Sequence, residues 1–572
     1  MNELLPWLNE APLARSIVLL LVAAAVLYLV PAAHRRLLLS RAKHPSLRGH
    51  SRMAKRFARL VPSWSFGEER FLAADGADAA VVARRRAGFE ALATRFKKRS
   101  PTSIAMLERL ADGVSDLQFT GRYRVPFPFS EQVRRQLKSG IAVQASEGVT
   151  ITDLDGNRYI DLTGAYGVNV FGVDFYRDCI DEACDGMRRV GPVLGPYVPA
   201  IEGNVERLKR ISGLDEVSFH MSGTEAVMQA VRLARYHTGR SHIVRFCGAY
   251  HGWWDDVQPG IGNPSAPGKV YTLAEMSETT LKLLRNRRNI ACVLINPLQA
   301  LHPNGNAPAD GALVNGLRST RFDRAAYTDW LQRLRRVCTE AGIVLILDEI
   351  FVGFRIAARG AQEYFGIQAD LVTYGKTLGG GLPVGVLCGR GDLMKRYRAD
   401  RPLDICFARG TFNSHPYVMG AMQAFLDRYE SEPVQALYEG LEERWNDRAE
   451  RMNHALSEAG LPLRVEHFSS IFTVLHHQAS RYGWMLQFYL NAEGLLLPWV
   501  GTGRLIFTID FPDAEYDEVI RRFVRAGQAM QRDGWWHPEA ADAGVLRRQL
   551  LREMLSARLG RTRSITGPAD LH

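Results

Sequence analysis

Cysteine is scarce and badly spaced for joint work: there are seven in 572 residues, an odd number, and no C-x-x-C pair. A zinc site of the paired-cysteine type and a disulfide-stapled fold are therefore excluded. Cys179, Cys184, Cys247, Cys292, Cys338, Cys388 and Cys406 lie scattered through apolar segments, as reduced thiols do. Net charge is missing from the bulk of the chain. The formal total is +11, yet residues 34–99 hold 17 Lys/Arg against 5 Asp/Glu, and residues 100–572 balance. A nucleic-acid-binding reading of the bulk loses its support. With 46% apolar and 23% charged residues, disorder and collagen-like structure are excluded too, and the length suits three or four units of roughly 150 residues.

The most informative absence is local. No charge occurs from Ser16 to Ala33, and I-V-L-L-L-V-A-A-A-V-L-Y-L-V fills Ile17 to Val30. Eighteen helical residues span about 27 Å, close to the thickness of a bilayer's hydrocarbon core. The basic charge follows this run instead of preceding it, unlike a signal peptide, and the run has no polar face, unlike a core helix. It reads as a single membrane span, with a membrane-dipped hairpin at Pro31 as the alternative. Arg15 alone stands before it; Arg35, Arg36, Arg41, Lys43, Arg48, Arg52, Lys55, Arg56 and Arg59 follow. The positive-inside bias places the N-terminus outside and the rest in the cytoplasm.

Beyond the span, residues 34–60 read either as a helix on anionic lipid heads or as a solvated linker. Residues 78–98 have helical periodicity, with Val82, Phe89, Leu92 and Phe96 on one side. V-T-I-T-D-L-D-G-N-R-Y-I-D-L, from Val149, reads as a hairpin around Asp155-Gly156. From there to about residue 415, β-branched runs alternate with helical segments, which predicts an α/β architecture with a mostly parallel sheet covered on both faces. S-I-F-T-V-L and R-L-I-F-T-I imply a smaller α+β unit. The expected division is 1–33 with the span at about 16–33, a basic juxtamembrane and helical linker region at 34–115, a large domain with its N-terminal segment at 116–415, a small domain at 416–540 and a tail at 541–572. That tail carries Arg547, Arg548, Arg552, Arg558, Arg561 and Arg563 beside leucines at helical spacing. It is either a second lipid-surface helix or an ordinary terminal helix.

Four segments carry chemistry when taken together. Met221-Ser222-Gly223-Thr224-Glu225-Ala226 opens an apolar helix and offers N–H groups and hydroxyls to an anion, although S-G-T-E is also a capping box. Phe246 to Gly252 brackets Tyr250 with glycines, so its ring can lie flat on another ring. In L-I-L-D-E-I-F-V-G-F-R (345–355), Asp348 ends an apolar strand where open α/β sheets bind ligands. Burying a carboxylate there costs several kcal/mol unless a cation or protonated nitrogen offsets it. In T-Y-G-K-T-L-G-G-G-L-P-V-G (373–385), Lys376 follows a strand and precedes a glycine run with neither nucleotide-loop order. An anion cradle, an aromatic platform, a buried Asp and a Lys 28 residues later form the set that pyridoxal 5′-phosphate requires.

These segments, with D-L-D-G-N-R-Y-I-D-L (153–162), A-Y-H-G and R-G-T-F-N-S-H-P (409–416), resemble the class III, fold-type I aminotransferases, most of all the branch containing glutamate-1-semialdehyde aminomutase. The resemblance covers roughly residues 120–530. It implies that Lys376 forms the internal Schiff base and shuttles a proton between Cα and C4′, and that Asp348 keeps the ring nitrogen protonated. Ser222, Gly223 and Thr224 would hold the phosphate, with Tyr250 and Ile350 on opposite ring faces. Thr411 would reach the phosphate of the neighbouring subunit, since the family shares its sites across a homodimer interface. Arg124 is either an anchor for an anionic substrate or a helix-surface ion pair. His251 is either a substrate contact or a packed loop residue, and His220 reads as structural.

The sequence departs from the family on the substrate side. Asn296 stands where a Glu is usual, His220-Met221 precede the phosphate turn in place of an Asn, and Leu301–Arg321 is an insertion of about 20 residues. Tyr123 to Phe129 keeps an Arg but surrounds it with aromatics. The expected activity is amino transfer from a small-molecule donor to a carbonyl acceptor, with the span suggesting a lipidic acceptor or one delivered by an acyl carrier protein. An intramolecular aminomutase and a catalytically silent membrane scaffold are the alternatives. No metal and no nucleic-acid partner are expected.

Overall fold

The structure, a computed structural model, describes residues 12–44, 51–258, 260–265, 268–304, 322–498, 504–536 and 543–559. Arg48, Arg561, Arg563 and most of the 301–321 insertion lie outside the described residues.

Three strands, β1 (Val143–Glu147), β2 (Thr150–Asp153) and β3 (Arg158–Asp161), form an antiparallel meander. The expected hairpin is β2–β3; its turn carries Gly156 at φ +78°, where a side chain would strain the backbone. Next come β4 (Glu216–His220), β5 (His242–Phe246), β6 (Val270–Leu273), β7 (Ile290–Ile295), β8 (Val344–Asp348), β9 (Leu371–Gly375) and β10 (Gly385–Gly389). They build a seven-stranded sheet in the order β4-β10-β9-β8-β7-β5-β6. Every pairing among β5 to β9 is parallel; only β10, between β9 and β4, runs antiparallel to its neighbours.

The strands alternate between two apolar layers, as a period of two requires. Val344 and Ile346 pack with Val227, Val231 and Ile243 on one face. Leu345 and Leu347 pack with Trp330, Leu334 and Val372 on the other. Helices Gly223–Thr238 and Arg324–Ala341 supply those covers. The second is capped by the Asp323 side chain accepting from the Ala326 N–H and ends at Gly342 in the left-handed region, which turns the chain into β8.

A short hairpin, β11 (Tyr397–Arg398) and β12 (Arg401–Ile405), follows. Then β13 (Leu463–Phe468), β14 (Ile471–His476) and β16 (Arg504–Ile506) form a second antiparallel sheet, while β15 (Leu495–Leu496) joins β3 in parallel. The C-terminal part of the chain therefore completes the N-terminal meander.

Residues flanking this core are bound to it. Helix Ala79–Arg99 starts at Asp78, whose side chain accepts from the Val81 N–H. It buries Val81, Phe89, Leu92 and Phe96, with Val82 only partly covered. Its Arg85 is fully buried, forms a two-pronged pair with Asp75 at 2.7 Å and donates to the carbonyls of Leu72 and Gly534. In the tail helix Ala543–Arg558, Glu553 accepts from Arg481 and Arg70, while Leu551, Leu555 and Leu559 are exposed. Among the described residues one helix is long and apolar enough to cross a membrane. It runs from Pro12 to Ala42 straight through Pro31, so the hairpin alternative does not hold.

Candidate active site

The C-terminal ends of β4, β5, β8 and β9 deliver the candidate residues to one edge of the sheet, the edge at which open α/β sheets bind ligands. Registry explains the convergence. Gly385 pairs with both His220 and Gly375, so the turn after β4 and the residue after β9 flank the start of β10. Asp348 pairs with Thr373, three residues before Lys376.

After β4, Ser222 caps helix Gly223–Thr238: its Oγ accepts from the Glu225 N–H at 3.3 Å, and the Glu225 carboxylate accepts from the Met221 N–H at 2.9 Å. With the Ala226 N–H on the Ser222 carbonyl, the N–H groups of Gly223 and Thr224 remain for an anion. A Cβ at Gly223 would lie 2.6 Å from Ile350 Cδ1, so the small residue lets Ile350 reach the cradle. After β5, Gly252 at φ +95° sits against Thr224, where a Cβ would come within 2.4 Å of the Thr224 hydroxyl. Tyr250, half exposed, precedes it, and Asn296 Nδ2 donates to its carbonyl at 3.0 Å. Burial and the Asp348 charge both push the Tyr250 phenol up.

Asp348 is 2% exposed. Its Oδ2 lies 2.7 Å from His251 Nδ1, and its Oδ1 accepts from the Ile350 N–H at 3.2 Å. His251 is buried, and its Nε2 has no partner among the described residues. The neighbouring Glu349 turns the other way, accepts from the Ala361 and Gln362 N–H groups and is pushed up to about 8 by burial.

Lys376 follows β9 with φ +50°, a left-handed conformation that costs a non-glycine residue about 1–3 kcal/mol and occurs where surrounding structure enforces it. Its ammonium lies 4.9 Å from the Phe351 ring centroid. Burial lowers its pKa from 10.5 to about 8; Asp348 opposes the shift, and the positive charges of Arg355 and Arg504 reinforce it.

Two expected residues make no hydrogen bond to this cluster among the described residues. Arg124 donates from Nε to Gln487 Oε1 at 3.0 Å and lies over Phe488, with the Tyr166 phenol near enough to support its charge. Neither the helix-surface ion pair nor a solvated position describes it. Thr411 is exposed on the segment after β12, beside exposed Phe407 and Phe412. His220 is buried, hydrogen-bonded to Ser218 and lowered to about 4 by burial, as befits a structural residue.

Three residues at the site had no role in the sequence reading. Phe351 lies in the D-E-I-F motif itself, three positions after Asp348. Arg504 opens β16, and only the fold brings its charge to Lys376. Arg355 is buried and donates to Ser470 Oγ, the Phe507 carbonyl and the Asn169 carbonyl, tying the turn after β8 to three distant segments.

The buried Asp348 demands a cationic partner, the first turn after Ser222 offers N–H groups to an anion, and a depressed lysine amine lies near enough to feel the Asp348 charge. Those are the fittings of pyridoxal 5′-phosphate, and this sheet order and edge define a fold-type I transferase. Comparisons agree. The profile of the family aminotransferase class-III matches residues 132–526. A glutamate-1-semialdehyde 2,1-aminomutase from Desulfotalea psychrophila is 32% identical over 370 residues, 61% of this chain and 80% of that protein. Among solved structures, an omega-transaminase from Sphaerobacter thermophilus is similar with TM-score 0.61 and 25% identity over 76% of this chain and 99% of that one. A transaminase with pyridoxal phosphate bound gives TM-score 0.57 and 26% identity over 69% of this chain and 92% of that one. The chain belongs to the class III aminotransferases, and its cofactor is pyridoxal 5′-phosphate.

The lowered Lys376 pKa has a measurable consequence. Covalent capture of the cofactor needs the neutral amine, so a depressed pKa moves the rise of capture rate to lower pH. Apoprotein mixed with cofactor should bind it covalently at a rate that climbs with pH and levels off above about 8. A midpoint near the ordinary lysine value of 10.5 would contradict the burial described here.

Proposed function

We propose that the protein is a membrane-tethered transaminase that moves an amino group from a small-molecule donor to a lipidic or carrier-bound carbonyl at the cytoplasmic face. The observation that carries the catalytic part is the meeting of Lys376, Asp348 and the Ser222–Thr224 turn at one sheet edge. The continuous helix Pro12–Ala42, uncharged from Ser16 to Ala33 with basic residues clustered after that run, supports the tether and its orientation.

When bound, pyridoxal phosphate supplies an electron sink for the charge left when the donor's Cα loses its proton. The chain's residues do the rest. The Gly223 and Thr224 N–H groups and the Ser222 and Thr224 hydroxyls would hold the phosphate. Tyr250 and Ile350 would bracket the ring. Asp348 would pair with the ring nitrogen and keep it protonated, while His251 Nδ1, 2.7 Å from the carboxylate, would fix its orientation, making His251 a positioning residue. Lys376, neutral over a useful fraction of molecules near pH 8, takes the proton from Cα and returns it on the other side of the transfer. Phe351 and the Arg504 charge keep its amine dry and disfavour its protonated form. Arg124, beside Tyr166, is the proposed contact for an acidic group on a substrate.

A second copy fits the exposed apolar segment formed by Tyr397, Leu403, Ile405, Phe407 and Phe412, Leu403 being 96% exposed. A homodimer that covers it would carry Thr411 toward the partner's phosphate cradle.

His251→Leu, which removes the Nδ1 donor, should lower kcat about 10- to 100-fold, the worth of a hydrogen bond to a buried charged group, with cofactor binding retained. Steady-state kinetics beside a cofactor titration checks this; unchanged kcat would remove His251 from the positioning role. For the substrate, purified enzyme given an amino donor should turn over long-chain aldehydes or keto-acyl carriers faster than short soluble carbonyls. Exclusive use of the soluble ones would overturn the lipid assignment. The aminomutase relative favours a second reading, an internal amino shift, which predicts turnover with one substrate and no external donor.

A further inference from the structure

The helix Pro12–Ala42 does not end in a loose linker. Two residues past Ala33 the Arg35 carbonyl already accepts from Arg287 Nη2 at 3.1 Å. Leu38 and Leu39 pack onto the main core, Ala42 is fully buried, and its carbonyl accepts from the Ala274 N–H at 2.9 Å, just beyond β6. If the span occupies 16–33, the first contact with the catalytic domain comes about 3 Å of helix beyond it. The headgroup layer is itself about 5–7 Å thick. The catalytic domain is thus bolted flush against the bilayer.

A second helix, Ser51–Ala58, follows within seven residues of His44, a chain reach of at most about 25 Å. Its inner side is fixed: Ala54 is buried, and Lys55 donates to the carbonyls of Asn263 and Pro264. Its outer side exposes Met53, Phe57 and Leu60 with Arg56 and Arg59, and Ile261 is exposed on the loop beneath. No Asp or Glu occurs between Glu10 and Glu68. An apolar face with a basic fringe and no acid suits one surface, the headgroup layer of an anionic bilayer. The loop that seats this helix, residues 250–265, begins with Tyr250 and His251.

Resting on the membrane-span reading above, we propose that Ser51–Ala58, Leu60 and Ile261 form a lipid-contact surface that lies in the headgroups of an anionic membrane and holds the Tyr250 loop against it. Continuity with the span and charge complementarity both select lipid over a protein partner. The practical meaning is that one end of the active-site loop is anchored where a lipid-borne carbonyl resides.

The test uses the full-length holoenzyme in nanodiscs of phosphatidylserine with phosphatidylcholine, or of phosphatidylcholine alone. The photo-crosslinker benzoylphenylalanine is placed singly at Phe57, at Leu21 in the span and at Leu403 on the β11–β12 hairpin, outside the proposed surface, with the bound-cofactor absorbance confirming each fold. The expected result is lipid adducts at 21 in both membranes and at 57 in the anionic one, and none at 403. Arg56→Glu with Arg59→Glu should cut the adduct at 57 about fivefold or more and leave that at 21 unchanged. Lipid at 21 without lipid at 57 overturns the surface and leaves the span standing, whereas no lipid at 21 overturns the span itself. Crosslinking of 57 to a second copy of the chain overturns the lipid assignment in favour of a protein interface, and equal adducts at 57 in both membranes overturn the anionic preference.

Discussion

Lys376→Ala should abolish amino transfer, by about four orders of magnitude or more, while leaving the fold and phosphate cradle in place. In the proposed function Lys376 combines covalent attachment with proton transfer; its amine is depressed to about 8 and lies 4.9 Å from the Phe351 ring centroid. Its backbone is fixed at φ +50° between β9 and the turn that follows. No neighbouring amine occupies this geometry among the described residues. The variant should still take up cofactor, now non-covalently, and lose the absorbance band of the lysine-bound form. Lys376→Arg keeps the positive charge without a nucleophilic amine and should be as inactive, which separates chemistry from electrostatics. Persistence of the band in Lys376→Ala would place the covalent link elsewhere.

Asp348→Asn should lower kcat about 1,000-fold with the cofactor retained, an effect of the size seen when a preorganised electrostatic partner is removed. Asparagine keeps the shape of Asp348 and can still accept from His251 Nδ1, but it lacks the charge that stabilises a protonated ring nitrogen. Burial magnifies the loss, because Asp348 is 2% exposed and little water can replace the missing charge. Cofactor retention follows from the separate cradle at Ser222–Thr224. Parallel measurements of kcat and cofactor dissociation distinguish this from a binding role, in which both would fall together.

Local pattern carried much of the structure. The alternation in Val344–Asp348, the Asp155-Gly156 turn and the uncharged run at Ser16–Ala33 were legible because each is governed by neighbours in sequence. The convergence of Lys376, Asp348 and the Ser222 turn on one sheet edge was legible because each ends or follows a strand of the same sheet. The rest depends on contacts remote in sequence. His251 and Asp348 meet across 97 residues, so the spacing of A-Y-H-G left the ring's partner open. Arg504 reads as the start of an ordinary strand until β16 pairs with β14. Arg124 read as either an anchor for an anionic substrate or a helix-surface ion pair, and its partner Gln487 lies 363 residues away. The docking of Ala42 beside β6 was invisible for a similar reason: the basic stretch after the apolar run has the composition of a linker, and only the packing of Leu38, Leu39 and Ala54 ties it to the core.

The central claim is that this edge performs amino transfer between two substrates. A single-turnover measurement addresses it most directly: holoenzyme is given an amino donor with no acceptor, and the oxo product is counted per active site. The account predicts a burst of about one oxo product per Lys376, followed by arrest until a carbonyl acceptor is added. No oxo product, or continued turnover to an isomer of the donor without any acceptor, would contradict it.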